Sequence, residues 1–199
     1  LAKQGYWNGL AIIRSHDNFV VQWGDPAEDP KNAKALGAAK TKLPAEFSIQ
    51  GFDKNSFHAM PDKDGWSKTA GFVAGFPAAT NGKQTWMAHC YGDVGAGRGI
   101  EADSSIGTEL YVVTGQSPRQ LDRNITSVGR VLQGMEYLSV LPRGTGPLGF
   151  YEKPEQYVPI KSIALASSLP ASEQVNLEVF RTDTKTFDAL VESRRNRKD

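Results

Sequence analysis

The stretch that decides the fold is GYWNGLAIIRSHDNFVVQWGDP, which occupies residues 5–26. Residues 10–14 are mostly apolar and include two adjacent isoleucines, a composition that predicts a β-strand. Residues 15–18, Ser-His-Asp-Asn, are typical of a turn. Residues 19–23 are rich in valine and predict a second strand, which ends before Pro26 because proline cannot donate a ladder hydrogen bond. The stretch therefore predicts two consecutive strands joined by a short turn.

The composition limits the classes of protein to which the chain can belong. Of its 199 residues, 39% are hydrophobic and 23% are charged, values that suit one domain, alone or with an appendage. The net charge of +1 argues against a general attraction to nucleic acid or to anionic lipid. No apolar run approaches the ~20 residues that a membrane-spanning helix needs. Cys90 is the only cysteine, so no intrachain disulfide can form.

The remainder of the chain is predicted to be mainly β. Further strands are expected at residues 85–90, 109–113, 125–131, 160–166 and 175–180. Several short strands with irregular connections favour a barrel or a sandwich over α/β layers. Residues 27–83 predict a long irregular segment with one helical turn at residues 33–39, and residues 92–107 are glycine-rich and turn-like.

The irregular segment should nevertheless be folded, because it contains too many large apolar side chains for a solvated linker. These side chains are Phe47, Phe52, Phe57, Trp66, Phe72 and Phe76. We expect them to pack and to shape access to any neighbouring site.

The C-terminal residues predict a helix that ends in a basic cluster. Asp183 or Thr184 can cap it, and Phe187, Leu190 and Val191 recur at helical spacing. The cluster consists of Arg194, Arg195, Arg197 and Lys198, and cations at this position interact favourably with the helix dipole. In a chain of nearly neutral charge, a solvated helix end is the preferred interpretation over contact with nucleic acid or membrane.

The opening stretch resembles the central signature of the cyclophilins, the cyclosporin-type peptidyl-prolyl cis/trans isomerases. In that family a Gly-aromatic-x-x-Gly turn leads into a strand that ends in the catalytic arginine, here Arg14. A pocket phenylalanine follows five residues later, here Phe19, and a glutamine three residues after that, here Gln22. Further family-like motifs follow in family order, namely WMAHC at residues 86–90, SSIGTELY at 104–111, LDR at 121–123 and VGRVLQGME at 128–136.

The resemblance implies a mainly β fold, a cyclophilin-like antiparallel β-barrel with capping helices. The cyclophilin-like domain would span residues 1–167, with a long insertion at about residues 27–83. A C-terminal strand-helix extension would occupy residues 168–199. Cyclophilins open with two strands and a helix before the equivalent of Gly5, so we expect those strands to be missing here and the parent protein to be longer at its N-terminus.

The resemblance also implies a site. Arg14, Phe19 and Gln22 would be catalytic, and the substrate-binding residues would be Val20, Ala88, His89, Glu109, Tyr111 and Leu121. Rotation of an X-Pro bond must break amide resonance, at ~18–20 kcal/mol, and a site that binds the twisted state more tightly than the planar states lowers that barrier. An arginine that donates hydrogen bonds to that state is sufficient, so no nucleophile, metal or cofactor is expected. His16, His58 and His89 with Cys90 lack the spacing of metal-ligand pairs.

Several positions depart from the family pattern. The family's histidine before the arginine is Ile13, its second active-site glutamine is Glu109, its pocket asparagine is His89 and its late pocket histidine is Ile125. The tryptophan that helps to bind cyclosporin corresponds to Gln120, with Arg119 as the alternative alignment, so cyclosporin is expected to bind weakly. The pattern indicates a divergent, bacterial branch of the family.

Three functions remain open on the sequence. The first is peptidyl-prolyl isomerisation of unfolded or extended proline-containing polypeptides, which aids protein folding. The second is a non-catalytic proline-peptide binding or chaperone module on the same fold, and the third is a structural domain whose basic tail docks a partner. No nucleic-acid partner and no membrane insertion are expected. A periplasmic or secreted location is the expectation, with the cytoplasm as the alternative.

Overall fold

The structure is a computed structural model that describes residues 1–27 and 29–195. These residues form two compact units, one from Leu1–Phe47 with His89–Val175 and the other from Ser48–Ala88 with residues 176–195. Each unit contains one antiparallel sheet, so the prediction of a mainly β fold is confirmed. Arg197 and Lys198 of the predicted basic cluster lie outside the described residues.

Within the described residues, the strands and α-helices are short. The strands are, in chain order, β1 Ala11–Ser15, β2 Val20–Gly24, β3 Ile49–Gln50, β4 Phe57–Ala59, β5 Thr69–Val73, β6 Phe76–Thr80, β7 Gln84–Met87, β8 Asp93–Ala96, β9 Leu110–Val113, β10 Thr126–Arg130 and β11 Val158–Pro159. The α-helices are α1 Met135–Ser139 and α2 Lys185–Arg195. Single turns of 3-10 helix lie at Ala2–Gln4, Pro30–Asn32, Ala102–Ser104, Arg119–Leu121, Pro147–Gly149, Pro154–Gln156, Ala166–Ser168 and Ala171–Glu173. No helix in this part of the chain has the length and apolarity to cross a membrane.

The first unit contains a six-stranded sheet with strand order β10-β8-β9-β2-β1-β11. Its register places Gln22 opposite Arg14 on one side and opposite Tyr111 on the other. Tyr111 is in turn opposite Gly95 on β8. Directly opposed residues on neighbouring strands face the same side of a sheet, so these four residues form one row across four strands. The sequence pattern of two strands and a turn is what brings Arg14 and Gln22 together.

Two apolar clusters stabilise this unit. Tyr6, Trp7 and Leu10, from the opening signature, are buried together, and the Trp7 indole N–H donates to the Thr108 carbonyl at 3.1 Å. The second cluster contains Val20, Tyr111 and Val113, with Phe19, Leu121 and Ile125 packed against it. The aromatic residues of the opening turn therefore belong to the first cluster. The residues that follow them in the sequence, from Phe19 onward, contribute to the second cluster.

The second unit contains a five-stranded sheet with strand order β3-β7-β6-β5-β4. Ala74 and Gly75 join β5 to β6, and both have positive φ, 48° and 84°, as in the tight turns that favour hairpins. Helix α2 packs through Phe187, whose ring contacts His58 and Phe72 with centroid distances of 6.2 and 5.1 Å. The long segment that the sequence predicted to be folded thus contributes four strands, β3 to β6, rather than an irregular chain.

The predicted strands at residues 10–14, 19–23, 109–113 and 125–131 are confirmed within one or two residues, as β1, β2, β9 and β10. The strand at residues 85–90 is confirmed in shortened form as β7. The helix prediction is also confirmed, since α2 begins at Lys185 and the Thr184 hydroxyl accepts from the Phe187 N–H at 3.2 Å. Strand β8 was missed, because its residues lie in the glycine-rich segment that predicted a turn.

Three predictions of secondary structure are wrong. The strand at residues 160–166 stops early, since Ile160 still exchanges backbone hydrogen bonds with Gly9 and Leu10 but the next contact, from Ile163, goes to the Asn8 side chain. Gly9, with φ of 77°, turns the partner chain away at this point, which ends the ladder.

The predicted strand at residues 175–180 is also not formed in the described chain, because its β-branched pattern finds no strand to pair with. The helical turn at residues 33–39 is replaced by a 3-10 turn at Pro30–Asn32, which is capped by the Asp29 carboxylate. The division of the chain into residues 1–167 and 168–199 stays a prediction.

Candidate active site

Arg14 is held at the end of β1 by three hydrogen bonds. Its Nε donates to the Leu148 carbonyl at 2.7 Å, its Nη1 to the Gln22 Oε1 at 3.0 Å and its Nη2 to the His16 Nδ1 at 3.2 Å. These bonds fix the plane of the guanidinium, and within the described residues they use one N–H on each nitrogen. A second N–H on Nη1 and on Nη2 is therefore left for a further acceptor.

Two aromatic rings flank the same guanidinium. The Arg14 Cζ lies 5.4 Å from the Phe19 ring centroid and 5.1 Å from that of Phe150, both within the range of cation–π attraction. Burial lowers the pKa of Arg14, and the nearby Glu109 carboxylate opposes that shift. An arginine remains charged after such a shift, so the site presents a fixed cation.

Glu109 sets the orientation of Gln22. The Gln22 amide nitrogen donates to Glu109 Oε2 at 2.5 Å, while its carbonyl oxygen accepts from Arg14. A carboxylate can only accept, so Gln22 must turn its NH₂ toward Glu109 and its oxygen toward Arg14. The departure from the family's glutamine at Glu109 thus connects the carboxylate to the arginine through one buried amide.

An apolar cluster, called the cup below, lies on the same sheet face as Gln22. It is formed by Phe19, Val20, Tyr111, Val113, Leu121 and Ile125, of which Val20 and Val113 are almost fully buried. The structure therefore brings together four of the residues that the sequence assigned to the site, namely Phe19, Val20, Tyr111 and Leu121. Val113 was missed, although its spacing of two from Tyr111 on a strand places both on one face.

A buried polar cluster lies behind Tyr111. The His89 side chain is fully buried, and its Nε2 lies 3.0 Å from the Tyr111 hydroxyl oxygen. On the other side of the ring, Nδ1 lies 3.2 Å from Asp122 Oδ1, which also accepts the His89 backbone N–H at 2.9 Å. Asp122 Oδ2 accepts from the Arg119 Nε at 2.6 Å. His89 was predicted to bind substrate, and the structure places it behind Tyr111 instead of at the surface.

The pKa values of the titratable groups in this cluster are shifted in opposite directions. Burial would raise the pKa of Asp122, but the hydrogen bonds from His89 and Arg119 outweigh it and hold that pKa below its ordinary value. Burial raises the pKa of Asp93 to about 6, although the Ser127 hydroxyl donates to its Oδ1 at 2.6 Å. Burial also raises the pKa of the Tyr111 phenol, so the hydroxyl stays protonated.

The remaining site assignments divide as follows. Ala88 is buried in the second unit, where its N–H donates to the Pro77 carbonyl, and its place in the substrate site stays a prediction. Phe150 and the Leu148 carbonyl were missed, because they come from a loop more than 130 residues away from Arg14 and no local pattern marks them. Asp122 lies in a motif that the sequence analysis identified, but its role there was not assigned.

Neither a metal site nor a reactive thiol is evident in the described part of the chain. No group of three or more His, Cys, Asp or Glu side chains there could hold a metal ion. Burial raises the pKa of the Cys90 thiol, which makes it less reactive. The second unit has an open cavity of about 420 Å³ between the start of β4 and residues 179–183, with Phe72 and Phe180 in its lining.

Comparisons with known proteins concern the family and the fold of the chain. The family model described as cyclophilin type peptidyl-prolyl cis-trans isomerase/CLD matches residues 1–165. Among solved structures, the chain is similar to the cyclophilin AquaCyp293 from Hirschia baltica, with a TM-score of 0.72, 23% identity and coverage of 96% of this chain and 72% of that one.

A second similar structure is a cyclophilin type peptidyl-prolyl cis-trans isomerase from Cryptosporidium parvum, crystallised in the presence of the dipeptide Ala-Pro. It has a TM-score of 0.48 and 15% identity, and the match covers 83% of this chain and 79% of that one. No curated protein sequence matches significantly. The similarity to the Hirschia baltica structure confirms the predicted cyclophilin-like fold.

Proposed function

The chain belongs to the cyclophilin-type peptidyl-prolyl cis-trans isomerases, and from this premise we propose that Arg14 is the group that stabilises the twisted X-Pro bond. The activity is the cis/trans isomerisation of X-Pro bonds in polypeptides. What remains to be assigned is which side chains carry it in this divergent sequence.

The reaction needs hydrogen-bond donors more than it needs a reactive group. In the planar amide the proline nitrogen shares its lone pair with the carbonyl, and the barrier to rotation is ~18–20 kcal/mol. As the bond twists, that lone pair is released and the nitrogen becomes a better acceptor. A fixed donor near the nitrogen therefore stabilises the twisted state more than either planar state, which is the condition for catalysis.

Arg14 supplies such a donor. Three hydrogen bonds and two flanking rings hold its guanidinium in place, while Nη1 and Nη2 keep a second N–H each. This fixed guanidinium beside the apolar cup is the single observation that carries the proposal. Preorganised donors in a site shielded from water can supply several kcal/mol of transition-state stabilisation.

Phe19, Tyr111 and Leu121 form the part of the cup that would receive the pyrrolidine ring. Gln22 is 7% exposed and already bonded to Arg14 and Glu109, so its role is to orient Arg14. Proline-containing polypeptides in unfolded or extended form would be the substrates.

The proposal is tested by replacing Arg14 and measuring exchange between the cis and trans forms of a proline peptide by NMR. Arg14→Ala should lower the isomerisation rate by roughly 10²-fold or more, on the scale of losing one preorganised donor. Arg14→Lys should recover little of the rate, because lysine keeps the charge but not the planar fork.

The matched control is Arg181→Ala, in the second unit, where the guanidinium is exposed and paired only with Asp183 in the contacts that the structure gives. It should leave the rate unchanged. An unaltered rate in Arg14→Ala would reject the catalytic role of Arg14. A rate equal to the uncatalysed rate in the unmodified protein would favour the non-catalytic peptide-binding module, for which the substitutions at Glu109 and Ile125 are the supporting observation.

Weak binding of cyclosporin is a further expectation from the same site. Arg119 is 8% exposed and bonded to Asp122, so of the two alternative alignments Gln120, which is exposed, is the residue available to a ligand. Losing an aromatic anchor costs typically ~2 kcal/mol or more, about 30-fold in affinity. Titration calorimetry should give a dissociation constant far above the nanomolar range, and nanomolar binding would contradict this assignment of Gln120.

A further inference from the structure

The Tyr111 ring is held in place by close contact on one side and by one hydrogen bond at its end. On β8, Gly95 is directly opposite Tyr111, and a Cβ there would lie 2.2 Å from the Tyr111 Cζ and hydroxyl oxygen. Only a glycine therefore lets the ring lie across that strand. The hydroxyl at the end of the ring reaches the fully buried His89.

The hydrogen bonds around His89 have a definite direction. Asp122 is ionised, because its pKa is held below its ordinary value, and it can only accept, so Nδ1 of His89 must carry a proton. In the neutral ring, Nε2 is then an acceptor, and the Tyr111 hydroxyl donates to it. The resulting Tyr111–His89–Asp122 chain ends on the Arg119 guanidinium, which offsets the aspartate charge.

Other charged or titratable groups near His89 do not replace this contact. Asp93 Oδ2 lies 3.8 Å from the His89 Nε2, beyond hydrogen-bond distance, and no other described residue donates to that oxygen. The Cys90 thiol is adjacent in sequence. Tyr111 is thus the described residue that satisfies Nε2 of His89.

We propose that His89 is a positioning residue, which fixes the Tyr111 hydroxyl and so holds the ring that receives proline, without touching the substrate itself. The inference rests on the proposed function, since it concerns the same cup. It predicts that proline affinity depends on His89 only as long as residue 111 carries a hydroxyl. A tyrosine and a histidine here form a matched pair, in which each residue requires the other.

The experiment is a double-mutant cycle of His89→Asn and Tyr111→Phe in the full chain, with the affinity for an Ala-Pro peptide measured by NMR titration. Asparagine is too short to reach the hydroxyl, which is then buried and unpaired. His89→Asn should therefore weaken peptide binding by about tenfold, on the scale of leaving one buried polar group unsatisfied.

Tyr111→Phe alone should weaken binding less, because the ring still packs against β8. The double variant should bind within about twofold of Tyr111→Phe, since the hydroxyl that His89 served has been removed. Thermal unfolding of each variant checks that all of them are folded. If His89→Asn weakens binding by the same factor in both backgrounds, His89 does not act through the hydroxyl, and the proposal is overturned.

A spectroscopic readout keeps the inference testable even if His89→Asn fails to fold. The ¹⁵N spectrum of the unmodified protein should show a proton on Nδ1 of His89, and Tyr111→Phe should shift the Nε2 signal, because Nε2 lies 3.0 Å from the Tyr111 hydroxyl oxygen. The opposite tautomer would overturn the proposal. Peptide binding does not require catalysis, so a failure of the Arg14→Ala prediction would leave this test unaffected.

Discussion

The two units of the chain differ in the polar side chains that they bury, since the described residues of the second unit bury only threonines. In the first unit, Gln22, His89 and Asp93 are less than 9% exposed and take part in hydrogen bonds between side chains. In the second unit, Arg195 pairs with Asp62 through two short hydrogen bonds, but Asp62 is 58% exposed. Buried polar groups must be satisfied, whereas exposed pairs are screened by water.

This difference indicates which amino-acid substitutions each unit should tolerate. A buried polar network fixes the positions of its members, because breaking one contact leaves another group unpaired. The face with Arg14, Gln22 and Tyr111 is built in this way, and it is the face that the reaction needs. In the second unit, α2 is held by the ring contacts of Phe187 and by solvent-accessible pairs of Asp188 with His58 and of Arg195 with Asp62. Such pairs should contribute little.

Among the substitutions that test this comparison of the two units, Gly95→Ala is expected to have the largest effect. The added Cβ would lie 2.2 Å from the Tyr111 ring, so the ring must leave its place in the cup. Overpacking at such a contact should lower the free energy of unfolding by about 3 kcal/mol, the upper end of the typical cost. The isomerisation rate should fall as well, because the cup loses the ring that would contact proline.

The matched control is Gly129→Ala on β10, where an added Cβ meets no atom within 4 Å. Urea unfolding and NMR exchange measured on both variants separate the two glycines. Equal effects of Gly95→Ala and Gly129→Ala would mean that the close approach to Tyr111 is unimportant, and the proposed rigidity of the first unit would be lost with it.

The first unit also shows how far the sequence specified the structure. Strands β1, β2 and β9 were predictable, because runs such as Val-Val and Tyr-Val-Val have a strong β preference. The spacing of Arg14, Phe19 and Gln22 was enough to place them together, since a short turn fixes the register of two adjacent strands. The contact of Arg14 with Phe150 was not predictable, because it depends on the path of a distant loop.

The second unit was predicted less well for a different reason. Strand β5, Thr-Ala-Gly-Phe-Val, has small residues where a strand pattern would show alternating apolar ones. Gly71 is required by packing, since a Cβ there would lie 2.2 Å from the His58 carbonyl oxygen. The strand is thus specified by close approach to β4, and such approach is visible only in three dimensions.

The next effect in size is expected at Asp93, and it depends on pH. Its pKa is raised by burial from 3.8 to about 6, so the folded state binds a proton more tightly than the unfolded chain does. The associated stability is complete below pH 3.8 and is lost as the pH rises through about 6. Asp93→Asn, which cannot ionise, should therefore gain about 2 kcal/mol in unfolding free energy relative to the unmodified protein between pH 4 and pH 7.5.

Urea unfolding at the two pH values measures this gain. Asp17→Asn is the control, because the Asp17 side chain is 80% exposed in its pair with Arg143. It should show no comparable dependence on pH. If the difference in unfolding free energy between Asp93→Asn and the unmodified protein were the same at both pH values, Asp93 would not be the group that titrates. The loss of stability with rising pH could then not be assigned to the burial of this carboxyl.

The smallest effect is expected in the second unit, at Phe187. Its ring is half-buried and contacts the rings of His58, Phe72 and Phe180 at 5.1 to 6.3 Å. Phe187→Ala should lower the local stability of α2 by about 1–2 kcal/mol, less than a truncation in a full core, because the site is only partly enclosed. Hydrogen exchange of the α2 amides measures this loss, and Thr186→Ala, at an exposed position of the same helix, should not speed the exchange.

Arg195→Ala on the same helix distinguishes ring packing from ion pairing as the source of that stability. Its guanidinium contacts Asp62 and Glu192 in an exposed position, so solvent and salt screen the attraction. Exchange in α2 should therefore respond weakly to Arg195→Ala, and less still at high salt, while the response to Phe187→Ala persists. A larger response to Arg195→Ala than to Phe187→Ala would show that exposed charges hold this helix, and the contrast between the two units would then disappear.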